Sequence, residues 1–477
     1  VLGVIVVVLP LIAAVAVAAR VVRSDAAVAR TVVGAIVLAL PAAALTATVG
    51  GDRFGGTVAL AIAAIAAIVA GYAARALHGG SIAYARFFGV LALAVAGACA
   101  IALARDLRVL AVAWIATGLC TSALLASANA RPAARRWAVR HLAIERAGDV
   151  AWIVVLAVAG NAYGTFDLER LAHAVAPGAA ATALALALVV AGAARSAIVP
   201  FHRWLPDSME TPTPVSAFMH AGLVNGAGLL LAKTAFVLVA APAALAVAAL
   251  LGAATAATGA TIALVRPESK RRLGWSTVAQ MGFMLLQCGC GAFAAAVVHL
   301  IFHGGYKSTA FLGVAGSLDV QTRARRSATR PTAMHPLLVT AYSFGAPTLG
   351  VLAAFASLRS GLTALPAAAV VVALAWAMAV SAARRSAEGA LDAPARAVVF
   401  AGIAASVAVY LAAVTGLDAW FGGAIPRITF APAADAVACA ALVAGCAVGA
   451  GLRARGTDAF YTLALVEGRS VPIGSAT

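Results

Sequence analysis

Charge is what this 477-residue chain has least of. Only 11% of its residues are Asp, Glu, Lys or Arg, against 64% hydrophobic ones. A soluble domain carries about 25% charged residues, so a soluble globular fold is excluded. Acidic residues are the scarcer sign, 17 against 34 Lys and Arg. Six cysteines are present, with no CxxC spacing and no His/Cys cluster, so neither a disulfide framework nor a structural zinc site is expected. There is no glycine-rich phosphate loop and no Ser/His/Asp arrangement. The chain is therefore not expected to be an enzyme, and no metal or cofactor of its own is expected.

Long apolar runs make up the rest. A transmembrane helix needs about 20 apolar residues. Runs of that kind fall at 1–19, 31–49, 56–76, 86–104, 107–128, 146–160, 179–199, 214–240, 242–265, 272–289, 291–316, 335–357, 364–383, 395–415 and 431–452. The expectation is an all-α, polytopic membrane bundle of about 14–15 helices, some of them discontinuous. The first run has no basic residue before it and its charges after it, as in a span and not a cleaved signal. The chain divides into three zones: scaffold helices over 1–104, a polar-featured core over 105–320, and bland spans joined by basic loops over 321–477.

The net charge of +17 could suggest nucleic acid, but its placement argues for topology. Of the 34 Lys and Arg, 25 follow odd-numbered spans, six follow even-numbered ones, and Arg195, Lys233 and Lys307 lie inside apolar runs. By the positive-inside rule, the N-terminus is expected outside and the C-terminus in the cytoplasm. The partner this implies is the bilayer, not nucleic acid.

Chemistry concentrates in three stretches. From Arg195 to Lys233, four prolines (Pro200, Pro206, Pro212, Pro214) interrupt apolar sequence and His220 sits on a helix expected to be buried. Proline ends one helix near 200. Trp204 suits the membrane boundary, and Asp207 or Ser208 is placed to cap the succeeding segment. Glu210 then precedes the Pro212–Pro214 opening of the next helix. Arg195 could also merely snorkel to the headgroups. The second stretch carries His299, His303 and Lys307. The i, i+4, i+8 spacing puts them on one helix face over about 12 Å, either as a proton ladder or as hydrogen-bonded core histidines. The third opens with a basic cluster, Arg266 to Arg272, and continues into Ser276, Thr277 and Gln280, which offer hydroxyls and an amide to a hydrated path or to neighbouring helices. A second helix break is a possibility around 343–347.

These residues carry a resemblance. PFHRWLPDSMETPTPVSAFMHAG, ESKRRLGWSTVAQMGFMLL and HLIFHGGYKSTAFLGVAGSL resemble, in that order, the antiporter-like proton-translocating subunits of respiratory complex I and the multisubunit cation/proton antiporters. HAGLVNGAG and QMGFMLLQCGCGAFAAAVVHL are most similar to the DabB-type membrane subunits of inorganic-carbon accumulation complexes. The resemblance covers roughly 105–320. It implies an antiporter-like fold in a bacterial cytoplasmic membrane and a partner subunit resembling a zinc β-carbonic anhydrase (DabA-like), which would hold the zinc. It also implies an ion pathway through Arg195, His220, Lys233, His299, His303 and Lys307, supported by Asp207, Glu210, Ser276, Thr277 and Gln280.

Two departures stand out. Respiratory members have a glutamate directly after the tryptophan of a WEGxGLC-like segment, where this chain reads Trp114-Ile115-Ala116-Thr117-Gly118-Leu119-Cys120. Arginine also stands in the place of a lysine at 195, and a guanidinium does not release its proton. Arg195 is thus expected to be a fixed counter-charge with no partner at 115. The alternatives left open are a respiratory or Na+/H+ antiporter subunit and a non-conducting anchor for a soluble enzyme.

Overall fold

The structure is a computed structural model that describes residues 2–22, 24–77, 82–127, 132–208, 211–266, 268–326 and 393–426. Among these residues every regular element is helical. The helices are α1 (Leu2–Ala18), α2 (Asp25–Thr48), α3 (Arg53–Ala76), α4 (Ile82–Leu103), α5 (Leu107–Leu125), α6 (Pro132–Tyr163), α7 (Leu168–Ala174), α8 (Ala179–Arg195), α9 (Trp204–Asp207), α10 (Thr213–Ala221), α11 (Gly226–Lys233), α12 (Ala235–Val239), α13 (Pro242–Val265), α14 (Ser269–Gly289), α15 (Phe293–Arg326) and α16 (Ala393–Phe421). Among the described residues, six stretches are long and apolar enough to cross a membrane, the combined α10–α11 among them. The chain is a multi-pass membrane protein. The expected spans at 335–357, 364–383 and 431–452, the break at 343–347 and Glu210 lie outside the described residues.

Helices α1 to α4 pack against one another, and α3 joins this block to the rest through α10, α15 and α16. Long helices alternate in direction, so their loops gather at two ends. At one end, Asp52 caps α3 by accepting the Gly55 N–H at 2.7 Å. Nearby, Asp106 caps α5 and Asp167 caps α7, and two backbone hydrogen bonds clip their loops together, Leu107 N–H to Phe166 O and Leu168 N–H to Arg105 O. The Arg108 side chain donates to both Asp106 oxygens and holds that carboxyl below the usual carboxylate range. The opposite end carries Arg266 and the basic start of α14, with Lys270, Arg271 and Arg272. The bundle thus has an Asp52 end and an Arg266 end.

Two helices are broken inside the bundle. Helix α8 stops at Arg195, five residues before the proline expected to end it, and the chain then makes a turn over Phe201–Arg203 before α9. The second break separates α10 from α11 at Gly222-Leu223-Val224-Asn225. It lies in the HAGLVNGAG stretch, where only a continuous helix was expected. Ser196 stitches the two breaks together: its hydroxyl donates to Val224 O at 2.6 Å and accepts the Ala227 N–H at 2.7 Å. Each carbonyl or amide left over by a break must find such a partner, since lipid supplies none. The combined α10–α11 span is 89% buried and so forms the centre of the bundle.

Three local expectations need correction. Helix α6 begins at Pro132, not at 146, because the Arg-rich stretch before the apolar run is itself helical. At 1.5 Å per residue its 32 residues reach about 48 Å, more than the roughly 30 Å of a hydrocarbon core, which carries Glu145 and Arg146 to mid-helix. Arg146 pairs there with Asp149 at 2.6 Å and is not a loop cation. Trp204 is buried against the His141 ring, 4.4 Å between centroids, instead of lying at the boundary. Ser208 donates back to Leu205 O and does not cap α10, whose Pro212 N-cap makes no side-chain bond.

Helices α13 and α14 make the closest backbone approach. A Cβ on Gly252 would lie 2.7 Å from Gly282 O, and one on Gly282 would fall onto the Ala256 nitrogen. Small residues allow this contact, on which helix pairing in lipid depends. Gly282→Leu is expected to destabilise the bundle by about 1–3 kcal/mol through overpacking. The check is a lower thermal unfolding midpoint in detergent.

Candidate functional site

Arg195, the last residue of α8, is 2% exposed and surrounded by partners. Its Nε donates to Glu145 Oε1 at 3.0 Å and Oε2 at 2.8 Å, and Nη2 lies 2.7 Å from Oε2. Nη2 also donates to Trp114 O at 2.7 Å, and the guanidinium sits 4.3 Å over the Trp114 ring. Arg195 has no partner at 115, as expected, but it is not unpartnered. Ile115 provides no carboxylate, but the next helix does, from Glu145 on α6. Two glycines make the room: a Cβ on Gly118 would lie 2.7 Å from Glu145 Oε2, and one on Gly226 would lie 2.7 Å from Arg195 Cγ. Snorkelling is excluded as well, since the guanidinium is held inside the bundle.

Around this pair stand residues the sequence did not single out. His141, one turn before Glu145, places Nε2 3.6 Å from Glu145 Oε1 and Nδ1 2.8 Å from Ser122 Oγ. The missed signal was the pattern His141, Glu145, Arg146 and Asp149 at i, i+4, i+5 and i+8, which straddles the start of the apolar run at 146–160.

The ladder on α15 is present. His299, His303 and Lys307 are all buried and lie about 9, 15 and 21 Å along the helix from its Asp52 end. Each side chain is held from a different place. Lys307 Nζ donates to Ser276 Oγ at 2.6 Å and to Leu273 O at 3.0 Å on α14. His303 Nδ1 lies 3.1 Å from Asn225 Oδ1, in the break between α10 and α11. His299 Nδ1 lies 2.8 Å from Gln287 Oε1, and the Gln287 amide in turn donates to Tyr410 Oη at 2.7 Å. His220 reaches Thr277 Oγ1 at 3.1 Å and stacks on Phe311. Ser276 and Thr277 thus hold Lys307 and His220, while Gln280 is half-buried and makes no hydrogen bond among the described residues. The Nε2 atoms of His220 and His303 have no partner among the described residues. Asn225, Gln287 and Tyr410 were not anticipated, since single amides and phenols in apolar sequence look like packing.

Lys233 stands apart from this group. At the Asp52 end its Nζ donates to Ala102 O at 2.7 Å and lies 5.7 Å from the Phe54 ring centre, with the Asp52 and Arg105 charges nearby. From the Arg266 end to the Asp52 end, the order along α15 is therefore Lys307, His303, His299, with Lys233 beyond them and His220 on α10 beside Thr277 and Phe311. A cavity of about 30 Å³ is walled mostly by apolar side chains such as Ile62, Ile65, Ile101 and Leu300, with Arg195, Thr117 and Asn225 also at its wall. That is room for a water or two.

Chemically, the Arg195–Glu145 pair is a fixed charge centre, whereas the Lys307 to His299 group presents nitrogens that accept and release protons. Removing one partner of a buried pair leaves the other charge uncompensated, at about 3–5 kcal/mol. Glu145→Ala is expected to lower stability by that order, and Glu145→Gln by less because an acceptor remains. Thermal unfolding in detergent measures both.

Residues 104–384 match the family model described as NADH:quinone oxidoreductase/Mrp antiporter, TM. The chain is 35% identical over 280 residues to a probable inorganic carbon transporter subunit DabB1 of Halothiobacillus neapolitanus, covering 57% of this chain and 50% of that protein. It is 33% identical over 317 residues to DabB2 of the same organism, covering 66% and 57%. The chain spans about half the length of these relatives. Among solved structures, a chain of the Mrp complex from Dietzia superposes with a TM-score of 0.60 at 25% identity, over 99% of this chain and 52% of that one. The chain belongs to the NADH:quinone oxidoreductase/Mrp antiporter transmembrane family.

Proposed function

We propose that this protein is the proton-translocating membrane subunit of a complex that takes up inorganic carbon, working with a zinc-containing partner that resembles a carbonic anhydrase. The observation that carries the proposal is the series of buried titratable groups Lys307, His220, His303 and His299, continued by the half-buried Lys233 at the Asp52 end. Burying so many ionisable groups in a membrane bundle costs stability, and the usual return is an ion path. Lys307, His220, His303, His299 and Lys233 relay the proton, with Ser276 and Thr277 orienting Lys307 and His220. Arg195 does not relay, because its guanidinium keeps its proton. The similarity to the DabB1 and DabB2 proteins supports inorganic carbon as the cargo of the complex.

The cation bias supports an orientation in a bacterial cytoplasmic membrane with the Arg266 end in the cytoplasm and the Asp52 end outside. The zinc and the hydration chemistry belong to the partner; this chain moves the ion. A second reading has one specific observation in its favour. The bidentate, fully buried Arg195–Glu145 pair is also what a rigid, non-conducting anchor would keep.

The test uses the whole complex in proteoliposomes and in a host that needs added CO₂ for growth. His303→Ala and Lys307→Ala are each expected to cut proton flux and bicarbonate uptake by about tenfold or more. Full uptake and flux in both variants would sink the relay, and uptake with no flux in the wild type would favour the anchor. Recovery with quinone-reductase or small antiporter subunits, in place of a zinc protein, would assign the chain to a respiratory or antiporter complex.

A further inference from the structure

The proton relay makes no use of His141, although that residue is wholly buried at the centre of the charged cluster. It faces ionisable or polar groups on every helix around it. On its own helix these are Glu145 and Arg146, the latter paired with Asp149. From α8 comes Arg195, and from α5 the Ser122 hydroxyl. From α9 comes the Trp204 ring, packed edge-on against the imidazole.

The Ser122 hydroxyl couples to the imidazole tautomer: when it donates to Nδ1, the ring proton sits on Nε2 and faces Glu145 Oε1. Ser122 has one hydroxyl proton and two neighbours for it, Gly118 O at 3.2 Å and His141 Nδ1 at 2.8 Å. When the hydroxyl donates to Gly118 O, Nδ1 must carry the ring proton and donate to Ser122 Oγ. Nε2 is then a bare lone pair, with no hydrogen-bond partner among the described residues, 3.6 Å from a carboxylate oxygen. Two acceptors face each other across that gap. One added proton converts this repulsion into an Nε2–H···Oε1 contact.

We infer that His141 Nε2 and Glu145 Oε1 together form a proton-binding site, which serves as the titratable part of the Arg195 cluster. A proton arriving there bonds to Nε2 and gives an imidazolium, and on release it returns to the water-sized cavity or to the bulk. In the loaded state Glu145 is shared between two cations, Arg195 and His141, and its hold on Arg195 weakens. Arg195 lines the cavity whose other wall includes Asn225, the partner of His303. The cluster's charge therefore changes beside the relay. An arginine can stand where its own proton never leaves, because the histidine one turn from its counter-ion does the titrating. The purpose of the site rests on the proton-translocation proposal, but its existence does not.

The experiment is a pH series of solid-state NMR spectra on the intact complex with ¹⁵N-labelled histidine, run beside proton flux in proteoliposomes. His141→Asn keeps a nitrogen for Ser122 and removes the Nε2 position. The expected result is one titrating imidazole that is absent in His141→Asn and displaced in Glu145→Gln. The flux–pH profile of His141→Asn should move by about one unit or more. Should His141→Asn fail to assemble, Ser122→Ala keeps the imidazole and is expected to alter its tautomer populations. The inference is overturned if the His141 signal stays in one neutral form at every pH, or if its tautomers ignore the loss of Ser122. A wild-type complex that passes no protons, with His141 still titrating, would defeat the transport proposal alone.

Discussion

One buried ion pair sets the terms for the rest of this bundle. Arg195 cannot be neutralised, so the chain must surround a permanent charge in a medium that penalises it. The carboxylate of Glu145, the Trp114 carbonyl and the Trp114 ring all converge on it. That requirement explains features scattered through the sequence. Gly118 and Gly226 are small because the pair occupies the space where their side chains would be. Helix α6 runs long because its polar first half continues the apolar run and carries Glu145 into the bundle beside Arg195. Helix α8 ends where it does because its last side chain is the centre of the cluster.

Relative to the respiratory pattern, the charge has changed helix. The chain resembles the respiratory members in the tryptophan of the WEGxGLC-like segment but not in the acidic residue beside it; here Ile115 is half-buried and contributes no charge. The acid instead arrives from the neighbouring helix, and the lysine has become an arginine. The two changes are physically linked. A planar guanidinium accepts a carboxylate in bidentate geometry from a new direction, which a compact ammonium does less well. Here the carboxylate of Glu145 balances the guanidinium, which itself keeps its proton.

Much of the membrane architecture was legible in the sequence, because apolar length and small-residue packing leave few alternatives to a helical bundle. The α15 ladder was legible too: His299, His303 and Lys307 obey helical spacing and stand out against Ala and Val. Pairing between distant helices was not. Asn225, Gln287 and Tyr410 matter only through the histidines they meet, and nothing local marks them. Glu145 was hidden for another reason. A basic stretch before an apolar run looks like a loop, and only the continuous helix from Pro132 shows that the acid lies inside. The break at Gly222 to Asn225 was concealed by glycines that also suit close helix packing.

Ser196 links the two interrupted helices through a single hydroxyl that both donates and accepts. In mechanical terms the breaks are one joint and not two. A displacement of the α8 terminus, where the fixed charge sits, is carried directly into the backbone that holds Asn225 against His303. The Arg195 cluster and the His303 side chain are thus joined through main chain and not only through side-chain contacts.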